Sequence, residues 1–120
     1  MRLTFIQLSP FVSRWRQYRL TDEDLQALEA QLAADPAAGA VMAGTGGLRK
    51  VRFAPPSRHV GKSGAMRVCY AHFPTAEAVY LFTLYAKGDK ANLTQAERND
   101  YRAVLTALAK FLKGGRPKEG

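Results

Sequence analysis

Hydrophobic and polar positions along the chain change their period several times, and each change marks an element. Residues 3–8, LTFIQL, are rich in β-formers and predict a short strand that Ser9-Pro10 stops. Beyond the proline, Phe11, Trp15 and Tyr18 fall at i, i+4 and i+7, with Arg14, Arg16 and Arg19 mostly off that stripe. This spacing predicts a helix whose aromatic stripe packs into a core and does not serve as a base-stacking platform. Thr21 and Asp24 form a capping arrangement, the run Asp22-Glu23-Asp24 suits a helix N-terminus, and Leu25, Leu28 and Leu32 keep helical spacing as far as Asp35-Pro36. Two helices joined by a short turn are expected to form a hairpin.

Residues 39–47 are small and read as a loop, after which the period drops to two: Val51 and Phe53 alternate with Lys50 and Arg52, as in a strand with one wet face. Pro55-Pro56 ends it. Residues 66–73 and 78–85 predict two further strands around the turn Pro74-Thr75-Ala76-Glu77, completing an antiparallel meander. A capping box at Thr94 and Glu97 opens a last helix, in which Tyr101, Val104, Leu105, Leu108, Phe111 and Leu112 hold helical period up to Gly114-Gly115. The expected class is α+β: an antiparallel sheet of about four strands with an N-terminal helical hairpin and a C-terminal helix. With 120 residues there is room for one core. The expected organisation is one domain over residues 1–113 and a frayed tail over 114–120.

Charge adds what the pattern lacks. Eighteen Lys and Arg against ten Asp and Glu give a net charge of +8, and no acid occurs between Pro36 and Ala76, where Arg49, Lys50, Arg52, Arg58, Lys62 and Arg67 all stand. Such segregation predicts a one-sided basic surface facing a polyanion. The lone Cys69 excludes an internal disulfide and any thiolate-built zinc or redox site, which suits a reducing compartment. The opening MRLTFIQLSPF has neither a long apolar run nor a small-residue cleavage site, so a cytoplasmic protein without signal peptide or membrane anchor is expected.

Several chemistries fall away on spacing. GTGG at 44–47 would need a glycine where Arg49 stands to make a dinucleotide fingerprint, and it precedes a strand where that fingerprint needs a helix. Gly61-Lys62-Ser63 would need a glycine where Pro56 stands to make a phosphate-binding loop, and a strand again follows. His59 and His72 have no carboxylate in the basic segment to complete a metal site, and Cys69 within a strand reads as a small buried hydrophobe. No metal or cofactor is expected.

The remaining feature is a cationic cluster on strands and their connecting loop. Lys50 and Arg52 share a strand face, Lys62 sits on a glycine-flanked loop, and Arg67 opens the next strand of the meander. Cations arranged so can stabilise the pentacoordinate phosphorus of a phosphodiester, and RNA supplies its own nucleophile in the 2′-hydroxyl. Crowding among cations also lowers a lysine's pKa, so that one lysine can act as base while an arginine holds the phosphate. A plain phosphate-binding surface without chemistry is the competing reading.

The segments GTGGLRKVRF, GKSGAMRVCY and VYLFTLYAKGDKANLT, in this order, together with the upstream LTDEDLQALEAQLAADPAAGAVM, resemble the RelE superfamily of toxins from bacterial type II toxin–antitoxin systems, and its HigB-like branch in particular. The resemblance implies a curved antiparallel sheet packed on helices, whose basic face cuts messenger RNA in the ribosomal decoding site by 2′-hydroxyl attack. It implies Arg67 for the phosphate and transition state, Lys50 for proton transfer with Lys62 as competitor, and Arg52 and Lys87 for positioning and charge. Arg49, Arg58, His59 and Lys90 are the accompanying RNA-binding candidates. The chain departs from relatives that carry an arginine right after the strand-end lysine and a tyrosine further on: here Gly88 follows Lys87, and no tyrosine occurs between Tyr85 and Tyr101. Lys90, Tyr85 and His59 therefore join the candidates for the general base. The implied partners are the ribosome with its message and a cognate antitoxin, commonly a helix-turn-helix DNA-binding protein. The alternatives are a non-catalytic RNA or ribosome binder and a ParE-like gyrase inhibitor.

Overall fold

A computed structural model describes residues 2–58 and 65–112. The connecting loop that holds His59 and Lys62, and the tail from residue 113, lie outside the described residues. The elements are β1 (Thr4–Gln7), α1 (Ser9–Gln17), α2 (Asp22–Ala34), β2 (Ala40–Val41), β3 (Arg49–Phe53), β4 (Met66–Phe73), β5 (Ala78–Ala86) and α3 (Gln95–Phe111), with a single 3-10 turn at Pro56–Arg58.

The strands form one sheet in the order β1-β5-β4-β3-β2. The expected meander β3-β4-β5 is antiparallel throughout, but β1 joins β5 in parallel and the two-residue β2 adds a fifth strand beside β3. The sheet is therefore mixed. Parallel addition follows from the chain path: β1 must pass through both helices and the whole meander before it meets β5, so no tight hairpin turn dictates an antiparallel pairing.

Both faces of the sheet are covered, which makes a three-layer arrangement. On one face Phe11 and Trp15 of α1 and Leu28 and Leu32 of α2 pack on Phe53, Met66, Val68, Tyr70, Val79, Leu81 and Leu84. The aromatic stripe of α1 is core, as expected, with Phe11 stacked on Trp15 at 5.3 Å and Trp15 on Phe53 at 6.4 Å between ring centroids. On the other face Leu105 and Ala109 of α3, with Leu93 before it, pack on Cys69, Ala71, Phe73, Phe82 and Tyr85.

Both capping boxes form as their sequences predict, at Thr21/Asp24 and Thr94/Glu97. Asp24 does more than cap. Fully buried, it accepts the Ser57 N–H at 3.0 Å and the Ser57 hydroxyl at 2.6 Å, tying the start of α2 to the turn after β3. Burial alone would raise its pKa, but the hydrogen bonds from Ser57 and Thr21 outweigh that and hold the carboxyl below its ordinary value.

The GTGG segment is a turn. Gly44, Gly46 and Gly47 have φ of 75°, 78° and 125°, the left-handed region that disfavours side chains. Between them the buried Thr45 closes the loop, its hydroxyl donating to the Met42 carbonyl at 2.7 Å and accepting the Leu48 N–H at 3.1 Å. The Met42 N–H to Leu48 carbonyl bond at 2.8 Å then joins β2 to β3.

Candidate functional site

Strand register decides which cations meet. Lys50 and Arg52, two residues apart on β3, share one face. Arg52 lies directly opposite Arg67 of β4, and Arg67 directly opposite Tyr85 of β5. One step along, Lys50 pairs with Cys69 and Cys69 with Thr83. The result is a row Arg52–Arg67–Tyr85 flanked by Lys50, on the α3 side of the sheet.

A β-bulge builds this row. Between Cys69 and Tyr70 the partner on β5 jumps from Thr83 to Leu81, leaving Phe82 as the extra residue. Strict alternation from Leu81, which faces α1 and α2, would send Tyr85 to that same face; the inserted residue turns it to the other. Leu84 and Ala86 return to the α1/α2 face by the same shift.

The row is electrostatically unbalanced. Like charges directly opposite each other in a sheet are destabilising, and among the described residues the one ion pair is Lys90 with Glu97. Arg67 reaches only the carbonyl of its own neighbour Met66, at a long 3.5 Å. The remaining guanidinium donors of Arg67, half-buried beside the exposed Arg52, are available to an anion.

Tyr85 closes the row. It is 1% exposed, and its buried hydroxyl has no hydrogen-bond partner. Burial pushes the phenol up to about 12, and the Arg67 charge opposes that only in part. A phenol so shifted keeps its proton at neutral pH, so it can donate a hydrogen bond or a proton but is a poor base. The Lys90 ammonium stands 5.4 Å over its ring.

Glu97, which the sequence marks only as a helix cap, proves to be a carboxylate whose charge reaches the row. One oxygen accepts both the Lys90 ammonium and the Thr94 N–H, the latter at 2.8 Å. Burial would raise its carboxyl, but those bonds hold it below its ordinary value. Its charge also bears on Tyr85 and Cys69, as does that of Arg98. The capping box hid this second role, because nothing local in the sequence says that Lys90 folds back onto Glu97.

Other candidates are placed differently. Arg49 sits on β3 but points to the opposite face, 4% exposed, donating to the carbonyls of Ala37 at 3.1 Å and Gly39 at 2.7 Å. Its neighbour Tyr70 accepts the Gly39 N–H at 3.0 Å and donates to the Pro36 carbonyl at 2.7 Å, so the two side chains fasten the segment before β2. Arg58 lies with its guanidinium 5.8 Å from the Tyr18 ring centroid and 3.8 Å from the Met66 sulfur, both of the α1/α2 core face. The structure does not bring Arg49 or Arg58 to the row. Lys87 is exposed on the turn after β5, where the Asp89 and Lys90 N–H groups return to the Ala86 carbonyl. Tyr18 braces that turn, accepting the Ala86 N–H at 3.1 Å and donating to Asp89 at 2.6 Å. His59 and Lys62 are outside the described residues.

The remaining reactive groups are quiet. Cys69 is a free, fully buried thiol that burial pushes up to about 12, as a small core residue should be. His72 faces Arg49, and both burial and that charge lower its pKa. Among the described residues no three His, Cys, Asp or Glu side chains converge, and no helix is long and apolar enough to cross a membrane.

Sheet order, helices on both faces and a carboxylate-poor basic row together define a small α+β protein with a row of cations on one face of its sheet. No protein-family model matches the chain. Its structure is similar to that of the E. coli toxin RelE, determined in the free state with two arginines replaced by alanine. The TM-score is 0.54 and the identity 12%, over 87% of this chain and 97% of that one. The fold is RelE-like.

Proposed function

We propose that this protein is a RelE-superfamily toxin of the HigB-like branch, a metal-independent endoribonuclease that cuts messenger RNA on the ribosome and so stops translation. The observation that carries the reading is the Arg52–Arg67–Tyr85 row: two arginines placed opposite each other without a carboxylate, beside a phenol without a partner. A fold keeps such an arrangement at some cost in stability, and the compensation is an anion bound between the cations.

In this reading the scissile phosphate lies against the row. The 2′-oxygen forms a bond to phosphorus in line with the departing 5′-oxygen, giving a 2′,3′-cyclic phosphate and a free 5′-hydroxyl. Arg67, with Arg52 beside it, neutralises the charge that builds on the phosphorane oxygens. Lys50, one residue pair away, takes the 2′-hydroxyl proton, with Lys62 as the competing group. Tyr85 keeps its proton and its hydroxyl is buried, so it backs Arg67 from beneath the surface, and the leaving 5′-oxygen takes its proton from solvent. Lys87 and Lys90 extend the cationic surface along the RNA. A cognate helix-turn-helix antitoxin covering this face with an acidic segment is the partner the charge favours, in a cytoplasmic setting where the ribosome is the target.

The test is cleavage-site mapping on translating ribosomes with wild-type protein and Arg67→Ala. Wild type should cut the message, with or without chelator, and the variant should remain folded and ribosome-bound but fail to cut. Intact message with stalled gyrase would overturn the reading in favour of a ParE-like activity, and binding without cleavage would leave an RNA-binding module.

A further inference from the structure

The side of α3 turned away from the sheet is not polar throughout. Among the described residues the large hydrophobic side chains left exposed are Val104, at 39%, and Phe111, at 83%, and both belong to α3. They stand two helical turns apart, so they share one side of the helix. Ala103 and Ala107 are exposed on the same face, and their short side chains let another helix come close. A single exposed hydrophobe is ordinary, but here a complementary groove lies on the same surface.

That groove, of about 440 Å³, runs between the start of α1 and the first half of α3, lined by Leu8, Ser9, Pro10, Asp100, Tyr101 and Val104. Leu8, Pro10, Val104 and the Tyr101 ring make its apolar part, and Asp100 is its charged lining residue. Phe111 cannot fill the groove of its own chain, because two turns, about 10 Å along the axis, separate it from Val104. Asp100 and Lys110 are both exposed, and neither has an ion-pair partner among the described residues.

A two-fold axis removes the separation. We propose that this face docks a second copy of the chain, α3 antiparallel to α3 and crossing between Val104 and Ala107, so that Phe111 of each copy enters the groove of the other. Antiparallel pairing about that point sets the C-terminal end of one α3 against the Asp100–Val104 turn of its partner. Ala103 and Ala107 fall at the crossing, where side-chain size decides how near two helices approach. Lys110 then comes within a turn of Asp100 of the other copy, and the axis makes that pair twice. One face carries a ring and the groove that takes it, a cation and its anion, in the order that an isologous contact requires. The pairing does not depend on the RNA-cleaving reading and uses none of the residues of the row. With one helix face and one groove per copy, the interface lies below the standard size, so association in the micromolar range is expected.

The test is sedimentation equilibrium of the full chain across that range. Wild type should pass from monomer to dimer with rising concentration and go no higher. Phe111→Ser should weaken the dimer by about 100-fold or more, because a buried aromatic anchor is worth about tenfold or more and the axis uses it twice. Its melting at dilute, monomeric concentration should match that of wild type. Asp100→Lys and Lys110→Asp should each weaken association, and the double exchange should recover it, since both pairs re-form with their signs reversed. Cys69 is buried, so the thiol of Ala107→Cys is the accessible one. It should oxidise to a covalent dimer, and should not when Phe111→Ser is added.

A wild type that stays monomeric overturns the pairing and leaves the groove to a different protein. Masses that climb past the dimer overturn the closed axis in favour of head-to-tail docking of each Phe111 into the next copy. Phe111→Ser that dimerises like wild type, or that melts lower as a monomer, shows that the ring serves another contact. A double exchange that stays monomeric overturns the antiparallel crossing.

Discussion

Replacing Arg67 by glutamine should make the protein more stable while impairing the proposed cleavage. Arg67 faces Arg52 across an antiparallel pair, and neither has an ion-pair partner among the described residues. For two unit charges about 7 Å apart at water's dielectric, Coulomb's law gives a repulsion of about 0.6 kcal/mol. Directly opposed sheet pairs as a class span roughly 0.2–1 kcal/mol, and half-burial of Arg67 places it toward the upper end. Glutamine keeps most of the aliphatic stem, and the one hydrogen bond lost, at 3.5 Å to the Met66 carbonyl, is too long to weigh much. For a chain of this size the gain corresponds to a Tm higher by about 2–4 °C. Thermal unfolding at low salt reads it directly. In 1 M NaCl, where the Debye length falls to about 3 Å, the difference should close. Cleavage on translating ribosomes should fall by about 10²–10³-fold, the loss expected for one transition-state donor. A variant that melts several degrees lower, with no response to salt, would show the guanidinium to be part of the fold. Undiminished cleavage would show that the reaction does not pass through the row.

Tyr85→Phe removes a buried hydroxyl that has no partner, so urea unfolding should show stability unchanged or raised by about 1 kcal/mol, while single-turnover cleavage should slow if the phenol supports Arg67. Tyr70→Phe strips the Gly39 N–H and the Pro36 carbonyl of a shared partner and should cost about 1–3 kcal/mol in the same assay. Asp24 and Glu97 have folded pKa values below their ordinary ones, so their contribution is complete above the unfolded carboxylate range, near pH 4, and is lost as pH falls through the folded values. Urea midpoints measured from pH 7 down to pH 2 should therefore drop on the acid side, and Asp24→Asn should start lower and fall less.

The helices and the meander were legible because each announces itself locally. The aromatic spacing in α1, two capping boxes, the proline stops and the alternation of β3 are all carried by residues within a few positions of one another. Lys50, Arg52 and Arg67 were legible as candidates for the same reason: alternation places the first two on one face, and a meander brings the third alongside. Arg49 lies on the face of Val51 and Phe53, as alternation along β3 requires, but the groups that hold it there, the carbonyls of Ala37 and Gly39, come from twelve and ten residues upstream and are not legible locally.

Taken alone, the sequence determines that this is an α+β chain with a basic sheet and a glycine turn feeding it, since periodicity, caps and charge segregation are local properties. Tertiary structure alone decides that β1 lies parallel to β5, that Lys90 folds back to Glu97, and that Arg52 meets Arg67 head-on. It also decides that Tyr85 joins them, through one extra residue at Phe82. A single inserted residue exchanges the faces of everything beyond it in a strand, and whether it is accommodated as a bulge depends on the partner strand and not on the residue itself.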